Sequence, residues 1–100
     1  MAKVELHIYP PLSYKMSSKR VGPLILEEKI GQGETLGDLL ARLANGNQEA
    51  WRVIFDLQTH RIRPIIITIL NGTALAFSEA PQTHLSDGDR IDLRVGYGGG

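Results

Sequence analysis

The sequence predicts an α+β domain in which a sheet of about five strands packs on one main helix. Three observations predict it. Segments near the start and end of the 100-residue chain alternate apolar and polar residues. Between them lies a leucine-rich stretch with helical spacing. An Asn-Gly pair follows a run of β-branched residues, which is a strong short-range hairpin signal. A chain of this length fits one domain with a single modest core. We place that domain at residues 1–95 and a flexible glycine-rich tail at 96–100.

Val4, Leu6 and Ile8 alternate with Glu5, His7 and Tyr9. That period of two predicts a half-buried first strand. Pro10-Pro11 stops it, because proline cannot donate to a ladder. Residues 12–22 are polar and basic and read as a long hairpin connection. Leu24 to Ile30 is the second strand, ended by Gly31-Gln32-Gly33. Thr35 stands where a helix N-cap belongs, and Asp38 adds a favourable charge in the first turn. Leu36, Leu39, Leu40 and Leu43 follow at helical spacing, with Gly46 as a left-handed C-cap. Trp51, Ile54 and Phe55 fit an extra short helix at about 48–57, capped by Asn47, and read as core. Ile65 to Leu70 is a strand, Asn71-Gly72 its turn and Thr73 to Phe77 the return. Residues 78–84 read as a loop. Ser86-Asp87-Gly88-Asp89 is a turn before the last strand, where Ile91, Leu93 and Val95 alternate with Asp92 and Arg94.

Composition narrows the function classes. Hydrophobic residues make up 42 % and charged residues 22 %, an ordinary globular balance. Lysine plus arginine and aspartate plus glutamate are 11 each, so no global field favours nucleic acid or an anionic membrane. There is no cysteine, which removes disulfides, thiolate catalysis and cysteine-based zinc sites. No apolar run is long enough to span a bilayer. The first residues lack the apolar core of a signal peptide, so a cytoplasmic protein is expected.

The order strand, strand, helix, strand, short strand, strand resembles the β-grasp fold of ubiquitin-like proteins. It resembles more closely the MoaD/ThiS family of sulfur carriers. Three stretches carry the resemblance: Gly33 to Leu40 at the helix start, Ile67 to Gly72 at the Asn-Gly hairpin, and Leu85 to Ile91 with the closing Gly99-Gly100. Two features depart from the family pattern. The segment Asn47–Arg63 is longer than the usual link, and the tail reads Gly-Tyr-Gly-Gly-Gly without an apolar residue before the final pair. The resemblance implies a mixed sheet. It implies a protein substrate rather than an enzyme, with no bound cofactor. An adenylating enzyme of the ubiquitin-activating type would use ATP to activate the carboxylate of Gly100, with Gly98 and Gly99 leading to it. Sulfur would then replace the adenylate, and the thiocarboxylate would serve a molybdopterin- or thiamin-type synthase. Some relatives instead form isopeptide bonds to lysines of target proteins. The protein is expected to be a monomer when free.

The tail suits such chemistry on physical grounds. Glycine has no Cβ, so a triglycine can enter a narrow channel. Residues 96–100 reach roughly 17 Å when extended. Ordering each of them costs about 1–2 kcal/mol, so a partner must grip the domain as well. Arg94 and Tyr97, at the base of the tail, are the candidate docking residues. A third reading makes the chain an interaction domain with an inert tail.

Other signals have plainer explanations. Gly31-x-Gly33 precedes a helix, but no βαβ unit surrounds it, and a tight turn followed by close helix packing accounts for it. His7, His60 and His84 lack metal-ligand spacing and read as three separate surface or loop residues. Asp87, Asp89 and Asp92 lack the other ligands of a calcium loop. Lys15, Lys19 and Arg20 form a small basic loop, either a solvated hairpin or a docking loop for an acidic partner.

Overall fold

The computed structural model describes residues 2–16, 22–46 and 49–96. Among these residues two α-helices and seven strands follow one another: β1 (Lys3–Ile8), α1 (Leu12–Met16), β2 (Leu24–Lys29), α2 (Leu36–Ala44), β3 (Phe55–Asp56), β4 (Arg61–Ile62), β5 (Ile66–Leu70), β6 (Thr73–Ala74) and β7 (Arg90–Val95). Five strands form one sheet in the order β2-β1-β7-β5-β6, and β3 pairs with β4 apart from it. Strand β7 runs parallel to β1 and antiparallel to β5, so the sheet is mixed. The parallel pair joins segments more than eighty residues apart, with Leu6 opposite Ile91 and Ile8 opposite Leu93.

Helix α2 forms where its local signals place it. The Thr35 hydroxyl accepts from the Asp38 N–H at 3.1 Å, and the Thr35 N–H donates to the Asp38 carboxylate at 3.2 Å. This reciprocal box satisfies two backbone groups at the helix start. Leu36, Leu39, Leu40 and Ala44 are buried against Val4, Leu6, Ile8, Ile91 and Leu93 of the sheet. Each fully buried leucine contributes roughly 1.5–3 kcal/mol before conformational entropy is subtracted. At the Asn71-Gly72 hairpin both turn residues have positive φ, 49° and 86°. That is the backbone a two-residue hairpin requires and that Asn-Gly adopts at least cost.

Four expectations are corrected. Residues 12–16 are a single helical turn rather than a loop. Leu12 and Ser13 are buried there, and the Ser13 hydroxyl donates to the Gly22 carbonyl at 2.9 Å. Lys19 and Arg20 lie outside the described residues. Helix α2 ends through a right-handed Asn45, whose N–H donates to Ala41, so Gly46 is not a left-handed cap. The 48–57 segment is a 3₁₀ turn over Glu49–Val53 followed by strand β3. Trp51, Ile54 and Phe55 are core as expected, but Phe55 reaches it from a strand paired with Ile62. The proposed Asn47 cap lies outside the described residues. The return strand after Gly72 is only Thr73–Ala74, and residues 80–82 form a second 3₁₀ turn within the expected loop.

Candidate functional site

Strand β7 carries the chain to the tail through the centre of the sheet. Its inner side chains, Ile91 and Leu93, are fully buried. Just beyond it the Gly96 N–H donates to the Ile65 carbonyl at 2.6 Å, continuing the ladder to β5. A Cβ on Gly96 would come within 2.9 Å of the Ile67 side chain, so the backbone lies close over that isoleucine. Ile65 and Ile67 are about half exposed beside this exit.

The outer face of β7 is polar. The Arg94 guanidinium lies 4.3 Å from the centre of the Tyr9 ring, a cation–π contact. Arg90 donates to the Tyr9 hydroxyl at 2.9 Å and to the Asp92 carboxylate at 2.9 Å. The hydrogen bond to Asp92 first, then that to Tyr9, holds the Arg90 guanidinium above its already high ordinary value. Tyr9 is thus clasped by two arginines, and Arg94 stands at the tail's base as its sequence position implies. Tyr97, Gly98, Gly99 and Gly100 lie outside the described residues. Tyr9 and Arg90 were not singled out in the sequence. The alternation of Arg90, Asp92 and Arg94 was visible, but the tyrosine they meet lies at the far end of the chain.

The histidines require a correction. His7 lies on the sheet, almost buried, with Nε2 2.9 Å from a Glu5 carboxylate oxygen. His60 and His84 are not separate: both line one cavity of about 700 Å³ beside the start of α2. Residue His84 forms an isolated bridge with Thr35, and its Nδ1 is 3.1 Å from the Gly33 carbonyl oxygen. His60 takes a positive φ of 58° in the β3–β4 turn, and its ring meets Phe55 edge-on. Its Nε2 is 3.9 Å from the Asp38 carboxylate. The backbone and hydroxyl of Thr35, with smaller help from His60 and His84, hold the Asp38 carboxyl below its usual value. Among the described residues, no three histidine, aspartate or glutamate side chains are placed to hold a metal ion. No helix among them is long and apolar enough to cross a membrane.

Gly31-x-Gly33 is a turn, with positive φ at Gly33. The close packing expected after it falls at Gly37, where a Cβ would lie 2.7 Å from the Pro81 carbonyl oxygen. Asp87 and Asp89 are turn residues: Asp87 accepts from the Lys3 N–H, and Asp89 from the Ser86 N–H and the Asn71 amide.

The fold and the tail's exit strand match a known family. The family model described as ThiS matches residues 20–100. The chain belongs to the ThiS family. Solved structures agree on a ubiquitin-like β-grasp fold. Small archaeal modifier protein 1 from Haloferax volcanii is 23 % identical, with a TM-score of 0.66 over 98 % of this chain and 99 % of that one. The same-named protein from Methanosarcina acetivorans is 24 % identical, with a TM-score of 0.67 over 100 % and 98 %. Urm1 from Trypanosoma brucei is 19 % identical, with a TM-score of 0.70 over 99 % and 96 %. No curated protein matches the chain in sequence.

Proposed function

We propose that this ThiS-family chain is a cytoplasmic sulfur carrier, acted on by an adenylating enzyme rather than itself an enzyme. The observation that carries the reading is the tail's anchorage. A buried central strand ends at Gly96, tied to Ile65, immediately before Tyr97-Gly98-Gly99-Gly100. The base of the tail is therefore fixed to the rigid domain while its carboxylate can enter a partner's active site. The partner would use ATP to convert the Gly100 carboxylate to an acyl-adenylate, releasing pyrophosphate. A sulfur donor would then displace AMP and leave a thiocarboxylate, which a cofactor synthase of the molybdopterin or thiamin type consumes. Arg94 and Tyr97 are the residues proposed to meet the activating enzyme.

The test is intact mass after incubation with ATP, the cognate adenylating enzyme and a sulfur donor. One oxygen-to-sulfur exchange confined to the last residue is expected. Deleting Gly99-Gly100 abolishes it and leaves the melting temperature unchanged. No exchange with the cognate enzyme present overturns the reading, and a cellular function that survives the deletion points instead to an inert tail.

A second reading is a protein modifier, favoured by the word "modifier" in the names of two structural neighbours. It shares the activation step but ends in an isopeptide bond to a target lysine. Trypsin cutting after Arg94 would leave Val95–Gly100 on such lysines, and peptide mass spectrometry of cell extract separates the two readings.

A further inference from the structure

The cavity beside α2 is lined by no residue of β7 and not by Gly96. Its residues come from the start of α2, from the β3–β4 turn, from β4, and from the connection between β6 and β7, whereas the tail follows the end of β7. Its chemistry is nonetheless specific. Arg61 lies on its wall, exposed, and its guanidinium makes no hydrogen bond or ion pair with any described residue. His60 and His84 flank it, and the Nδ1 contact of His84 with Gly33 leaves the opposite ring nitrogen, Nε2, without a partner among the described residues. Ser78 adds a hydroxyl and Phe77 an aromatic surface that is 42 % exposed.

The one carboxylate present, Asp38, is already occupied. One of its oxygens accepts from the Thr35 N–H, and the other faces His60. The approach of His60 is an electrostatic contact beyond hydrogen-bond range. The remaining groups are a forked guanidinium, two imidazoles and a hydroxyl, brought from two stretches of chain, 60–61 and 78–84. A carboxylate offers two oxygens to such a set, and a phosphoryl group offers three, in a geometry that donors from several sides can share. Guanidinium also suits phosphate better than an ammonium does, because its planar fork can bond two oxygens at once.

We propose that this cavity is a binding site for a phosphoryl group, held by Arg61 with His60 and His84. The group could come as free phosphate or as a phosphate ester whose body lies on Phe77.

The experiment is a titration of the ¹⁵N-labelled full chain followed by NMR, with inorganic phosphate in one arm and phenyl phosphate in the other. Saturable shifts at Arg61, His84 and Ser78 in either arm are expected. Tighter saturation by phenyl phosphate assigns the source as an ester, and equal saturation assigns it as the free anion. Arg61 and His84 are exposed, so Arg61→Ala and His84→Ala keep the fold, which unchanged shifts in the sheet verify. Each variant should raise the half-saturating concentration about tenfold, the loss of one charge-assisted contact. Shifts that fail to saturate in both arms overturn the proposal. So does wild-type binding by both variants, or a response centred on Arg90 and Arg94.

Discussion

Replacing Gly37 by alanine should destabilise the protein, although alanine is the better helix former. The residue lies in the first turn of α2. An added Cβ would sit 2.7 Å from the Pro81 carbonyl oxygen, 3.1 Å from the Pro81 Cβ and 3.0 Å from His60 Cε1. The nearest atom belongs to backbone in a buried 3₁₀ turn, so relief requires moving a segment rather than rotating a side chain. Overpacking of this kind costs about 1–3 kcal/mol. The helix preference of alanine over glycine returns up to about 1 kcal/mol. The expected net loss is about 1–2 kcal/mol. With a urea slope of about 1–1.5 kcal/mol per molar, the midpoint should fall by about 1 M. Gly31→Ala is the control: no atom lies within 4 Å of its Cβ position and its φ is not left-handed. That variant should match the wild type or slightly exceed it. A Gly37→Ala protein with an unchanged or higher midpoint would refute the packing argument, and with it the account of why α2 starts against Pro81.

Thr35→Ala removes one half of the capping box and should cost about 1 kcal/mol, lowering the melting temperature by about 4–8 °C, while Thr35→Ser retains most of it. Asp38 titrates below its usual 3.8 in the folded protein, so its contribution is present above that value and lost as pH falls through the lower folded value. Urea stability measured across this acid window should therefore decline less steeply in Asp38→Asn than in the wild type. Trp51→Ala should cost about 3–5 kcal/mol, because the indole is 2 % exposed within the core, and equilibrium unfolding measures it directly.

Helix α2 and the Asn-Gly hairpin were legible because their determinants are local. A cap, a leucine spacing and two positive φ angles depend on residues a few places apart. Helix α1 was not legible, since five residues carry no period and Leu12 is helical only because the core receives it. In the 49–62 segment the buried residues were foreseen and the geometry was not. A 3₁₀ turn and a strand bury Trp51, Ile54 and Phe55 as a helix would, until the chain reverses at His60. The last strand, which carries Arg94, was legible from its alternation of Ile91, Leu93 and Val95 with polar residues. The cavity was invisible because His84 reaches the start of α2 through its bridge with Thr35, a pairing that no local pattern announces.

The parallel pairing of β1 with β7 has a mechanical consequence. If the carboxyl end is held by a partner while the amino end is held elsewhere, the load runs along both strands. The ladder between Glu5–Ile8 and Arg90–Leu93 is then strained as a whole, because the two strands can separate only by sliding. Bonds loaded in that way share the force, whereas bonds opened like a zipper meet it one at a time. The strand that presents the tail is also the part of the molecule best placed to resist being pulled by it.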